Sequence, residues 1–234
     1  MYENENVIQS GYSVSDYITK VFIWMFVGLA VTAFVAYGTL ATGFIGYLSS
    51  GVMLVLAIAE LIIVWVLSRK IANHEISSTG AKIGFIAYSV INGLTLSIIF
   101  LAYNIGLIYK AFIVAALTFG VMAFIGHTTK KDLTNLGTIL IMGLVGIIIA
   151  TLVNMILSFF GMFSSTFDLI ITYITIFIFL GLTAFDVQKI KSYYYTSNGD
   201  ETLSNNLAIM GALALYLDFI NIFLQLLKLF GRRD

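Results

Sequence analysis

Seven apolar runs, at roughly 20–41, 50–68, 82–103, 108–126, 136–160, 166–187 and 205–229, divide the chain and leave only short connectors between them. A bilayer crossing takes about 20 such residues. In lipid an unpaired backbone N–H or C=O has no water to bond, so runs of this length form helices. The pattern therefore predicts an all-α integral membrane protein with seven transmembrane helices. Charged residues make up 10% of the chain, against about 25% in a soluble domain. Residues 17–234 read as one domain, preceded by a polar tail, residues 1–16. With no proline in the sequence, any kink must come from glycine or an inserted polar group.

Composition also excludes functions. The chain has no cysteine, which removes disulfides, thiol chemistry and cysteine metal sites. Two histidines make a multi-histidine metal site unexpected, and no cofactor is called for. A formal net charge of zero argues against nucleic acid as a partner. Glu3, Glu5 and Asp16 precede the first run without a basic segment, unlike a cleaved signal peptide.

Lys20, Arg69, Lys70, Lys82, Lys130, Lys131, Lys189 and Lys191 collect on one side of the predicted bundle. The positive-inside rule puts that side, and the N-terminus, in the cytoplasm. The tail residues Lys228, Arg232 and Arg233 work against this if the last run crosses completely, which its length favours. His127 to Asp132 reads as a charged cap that fixes topology. The small residues Gly143, Gly146, Ala150 and Asn154, and the set Ser89, Gly93 and Ser97, read as helix contact faces.

The last run carries a polar stripe: Gly211, Ala214, Asp218, Asn221, Gln225 and Lys228 recur at helical spacing. Lipid cannot solvate such a stripe, so this helix is expected at the centre, surrounded by the other six. On the sixth run Thr172, Thr175, Phe179, Thr183 and Asp186 form a second stripe. Two facing stripes suggest a lined path with Asp186 and Asp218 near one level. Carboxylates that touch cannot both stay ionised and share a proton. The alternative is static pairing, with Arg69, Lys70 or Lys189 opposite Asp186. Glu60, near the middle of the second run, reads either as an acid in one interhelical hydrogen bond or as part of a cation path.

The segments Gly211–Phe223, Gly181–Lys189, Gly93–Ser97 and Thr128–Leu133 resemble the Bax inhibitor-1, or transmembrane Bax inhibitor motif, family, and bacterial members above all. The likeness runs from about residue 17 to the end. It implies a seventh helix enclosed by the other six and a pH-responsive leak for calcium. It also implies a hydrogen-bonded aspartate pair at the cytoplasmic mouth, here Asp186 and Asp218, which would meet the calcium. An arginine latch falls on Arg69 and a bacterial glutamate on Glu60. Asn221, Gln225 and Thr183 would line the path. The implied location is the bacterial inner membrane, with lipid, calcium and protons as partners.

Three other functions were weighed. A proton-coupled transporter or exchanger would use the same carboxylates. A regulatory role would bind other membrane proteins. An intramembrane aspartyl protease lacks its Gly-x-Gly-Asp and Pro-Ala-Leu motifs here, so no enzyme activity is expected.

Overall fold

A computed structural model describes residues 13–162, 164–197 and 199–232. The helices are α1 (Val14–Ala41), α2 (Ser50–Ala72), α3 (Ser78–Leu96), the short α4 (Ile99–Ala102), α5 (Ile105–Thr128), α6 (Thr134–Phe159), α7 (Ser165–Thr196) and α8 (Glu201–Gly231). A 3-10 turn, Phe44–Tyr47, joins α1 to α2. Seven helical segments, with α3 and α4 counted as one, are long and apolar enough to cross a membrane. No strand forms among the described residues. The protein is an all-α membrane protein.

Helix ends lie outside the apolar runs because capping chemistry sets them. Ser13 and Asp16 form a reciprocal capping box, so α1 begins at Val14, ahead of the boundary expected at residue 17. Most of the tail, residues 1–12, lies outside the described residues. Ser49, Ser77, Asn104, Ser164 and Asp200 each accept a first-turn N–H of α2, α3, α5, α7 and α8. The sixth crossing continues well past residue 187, to Thr196. For α6 the cap is displaced: Asp132 accepts from the Thr134 hydroxyl at 2.6 Å and the Thr134 N–H at 2.9 Å. Those donors, the hydroxyl foremost, hold the exposed Asp132 carboxyl below the usual carboxylate range.

The third crossing breaks between α3 and α4. Ser97 donates to the Leu94 carbonyl at 2.6 Å, and such hydroxyl back-bonding competes with the helix ladder. The break occurs without proline, at an inserted polar group.

Of the seven crossings, α8 buries most of its surface, 72% of its most apolar window. It packs against α1, α2, α3, α5 and α7. The expected enclosure by all six other helices needs correction at α6, whose main packing partner is α7. Of its described residues α6 buries only Gly137 and Asn154, because its length is apolar all round and bilayer lipid serves as its solvent. At 31 residues, α8 extends for about 46 Å at 1.5 Å per residue, a complete crossing. Its C-terminal end lies beside the start of α7.

Candidate functional site at the α7–α8 interface

Asp218 sits on the α7-facing side of α8, 3% exposed. Asp186 and Thr183 of α7 are its polar neighbours. The Thr183 hydroxyl donates to the Phe179 carbonyl at 2.8 Å, as Thr172 and Thr175 do to carbonyls four residues back. The threonines of the α7 stripe are thus buried and internally satisfied. Asp218 Oδ2 is buried with no hydrogen-bond partner among the described residues. A buried carboxylate oxygen in that state costs several kcal/mol as an isolated charge, roughly, unless a proton or cation joins it.

Asp186 is less enclosed. It lines a cavity of about 170 Å³ with Ser68, Lys189, Tyr193 and Gly211. A larger cavity, about 630 Å³, holds Glu60, Trp65, Arg69 and Tyr88. Val64, Ser68, Met210 and Leu217 line both, so the two lie side by side between α2 and α8.

The other expected residues fall as follows. The Arg69 guanidinium stacks over the Trp65 ring, 5.3 Å from its centroid, and lines the larger cavity rather than the one at Asp186. Lys189 lies over the rings of Phe185 and Tyr193. Both ion pairs among the described residues belong to Asp168 instead. Asp186 forms no ion pair among the described residues, although Lys189 lines the same cavity. Asn221 and Gln225 continue the α8 stripe, partly buried. Asn221 donates back to the Leu217 carbonyl at 2.8 Å. Glu60 accepts from the Thr95 hydroxyl at 2.6 Å. No group of three or more His, Asp or Glu side chains is placed to hold a metal ion among the described residues.

Packing fixes the Asp186 segment. A Cβ on Gly126 of α5 would collide with the Ala184 carbonyl oxygen, and one on Gly137 would meet the Phe185 ring at 2.5 Å. Only glycine allows α5 and α6 this close to α7. Gln188 then grips the α5–α6 connector: its Nε2 donates to the Lys131 carbonyl at 2.8 Å and its Oε1 accepts from Leu133 N–H at 2.8 Å. The Lys191 ammonium donates to the His127 carbonyl. The basic connector thus serves as a brace for α7 as well as a charged cap.

Sequence reasoning missed Asp168. It accepts from the Lys228 ammonium at 2.6 Å and from the Arg232 guanidinium. Arg232 also donates to the Ser165 carbonyl at 3.0 Å. Two of the tail cations that opposed the charge rule, Lys228 and Arg232, are thereby paired within the protein, and Arg233 lies outside the described residues. An acidic residue in a first turn was the available signal.

A bundle of seven crossings built on a polar-striped last helix, with an aspartate from each of the last two at their interface, defines a polytopic membrane protein. The family model described as "Inhibitor of apoptosis-promoting Bax1" matches residues 14–234, and the chain belongs to the Bax inhibitor-1 family. It is 40% identical over 234 residues to the inner membrane protein YbhL of Escherichia coli K12, covering 98% of this chain and 97% of that one. A protein of Borreliella burgdorferi is 40% identical over 222 residues, covering 94% and 93%. A membrane protein of Streptococcus pyogenes serotype M1 is 36% identical over 238 residues, covering 99% and 100%.

Proposed function

We propose that this protein is a pH-sensitive leak channel for calcium or a similar cation in the bacterial inner membrane, with its N-terminus in the cytoplasm. The observation that carries the reading is Asp218 Oδ2, buried without a partner beside Asp186, where Asp186 opens on a cavity. The pair is completed either by a proton or by a cation. Calcium takes six to eight oxygen ligands, roughly, and two carboxylates with hydroxyls and carbonyls are a sparse set. A sparse site suits transit better than storage. Protons compete for the same oxygens, so acidification changes both the charge of the path and its hold on the ion. Arg69 is the latch in this reading, in a conformation where it leaves Trp65 for Asp186. The role is transport, without catalysis. Name and family together support the membrane assignment, since the relative from Escherichia coli is called an inner membrane protein.

Calcium flux into proteoliposomes across a pH series tests the reading. Wild-type flux is expected to depend on pH, and Asp186→Asn or Asp218→Asn to flatten that dependence. Folded protein with no flux at any pH would remove the proposal. Flux that requires a proton gradient and moves protons in fixed ratio would replace it with an exchanger.

A further inference from the structure

A second polar cluster lies on the opposite side of α8 from the aspartate pair and joins four helices. Its centre is Tyr216, fully buried, with its ring edge-on to Phe85 and Tyr88 at centroid distances of 5.9 and 5.6 Å. The Tyr216 hydroxyl donates to Asn92 Oδ1 at 2.8 Å and lies 2.6 Å from Thr32 Oγ1. Thr32 comes from α1, brought close because a Cβ on Gly93 of α3 would meet the Thr32 carbonyl at 2.8 Å. The Asn92 carboxamide in turn faces the Glu60 carboxylate, which also receives Thr95.

Donor counting gives this cluster a direction. Asn92 Oδ1 can only accept, so the one hydroxyl proton of Tyr216 goes there. The single Thr32 hydroxyl proton has two acceptors in reach, the Tyr216 oxygen and the Ser89 carbonyl at 2.9 Å. With Asn92 Oδ1 occupied, its amino group is the donor left to face Glu60. From Tyr216 onward the donors therefore point from α8 through α3 to the carboxylate on α2. Chains aligned this way strengthen one another in a dry interior. The anchor matters because α2 is otherwise lightly held: it buries only Leu67 and Ile71, both near its C-terminal end.

We propose that Asn92 and Tyr216 are positioning residues for Glu60, and that this chain of hydrogen bonds transmits uptake of a cation or proton at Glu60 to α8, two residues before Asp218. The titratable groups facing Glu60 are Tyr88 from α3 and Tyr216 from α8, with Arg69 of α2 itself in the same cavity. The flux arm of the test rests on the leak reading; the spectroscopic arm does not.

The test is a double-mutant cycle on the full chain. Tyr216→Phe keeps the ring and its packing and removes only the hydroxyl; Asn92→Ala breaks the chain at a second point. Infrared difference spectra over a pH titration follow the Glu60 carboxylate band, assigned by its loss in Glu60→Gln. Both variants are expected to move the midpoint of that band by about half a pH unit or more. In proteoliposomes Tyr216→Phe is expected to change calcium flux about threefold to tenfold with Glu60 present and to leave it unchanged in Glu60→Gln. An unmoved band in both variants overturns the proposal. So does an equal flux change with and without Glu60, the mark of a merely structural tyrosine. A shifted band in a protein that carries no flux upholds the link and removes the leak reading instead.

Discussion

At one end of the α7–α8 pair a single carboxylate, Asp168, faces the two cations Lys228 and Arg232. Further along the pair, in its interior, two carboxylates, Asp186 and Asp218, face each other, and neither is in an ion pair among the described residues. The same two helices thus carry opposite electrostatic arrangements. The Asp168 cluster is complete within the protein: its oxygens are occupied and its geometry has no need of an outside ion. The aspartate pair has Lys189 in the cavity beside it and one buried oxygen, Asp218 Oδ2, without a hydrogen-bond partner among the described residues. Buried charge that is paired is structure, and buried charge that is unpaired is a site.

The contrast extends to how each region is held. Charge fastens the Asp168 region, whereas glycine packing fastens the Asp186 region. The largest stability effect is therefore expected from Gly126→Val. Its side chain would press on the Ala184 backbone, which cannot move aside like a flexible side chain. The expected cost is about 3 kcal/mol or more, read as a lowered unfolding temperature in detergent. A near-neutral result would mean that α5 and α7 do not approach this closely. Next comes Asp168→Ala, which leaves two cations facing each other. Both are partly exposed, with side-chain accessibilities of 37% and 27%, so solvent screening reduces the loss to about 1–3 kcal/mol. The pH dependence of flux is expected to survive that change. If it vanished, the two regions would not be separate devices.

These differences explain what the sequence could and could not tell. The apolar runs located all seven crossings, because length and hydropathy are properties of each segment alone. The α8 stripe revealed Asp218 for the same reason: a period of three and four needs no knowledge of the partner. Asp168 escaped notice because its cations lie 60 and 64 residues away and its position reads as an ordinary first-turn acid. Asn92, Thr32 and Tyr216 are neutral and scattered among apolar neighbours. Tyr216 meets Asn92 across 124 residues and Thr32 across 184, contacts that only the packing of α8 reveals. The outer placement of α6 was equally hidden, since a helix apolar all round reads alike whether lipid or protein covers it.

The smallest expected stability effect belongs to Asp218→Asn, and its sign sharpens the comparison most. Asparagine has nearly the same shape, so packing against Thr183 is retained. It removes a carboxylate oxygen that is buried without a partner and supplies an amide donor that can face Asp186. Such a substitution at a structural ion pair is destabilising, because it strands the opposite charge. At this site the described residues form no ion pair to break. The unfolding temperature of Asp218→Asn in detergent is therefore expected to stay level or rise, by the equivalent of about 1 kcal/mol at most. A fall as large as that of Asp168→Ala would show that Asp218 is held by a cation in the native state. The two regions of the α7–α8 pair would then be alike, and the aspartate pair would be a clamp, as Asp168 is.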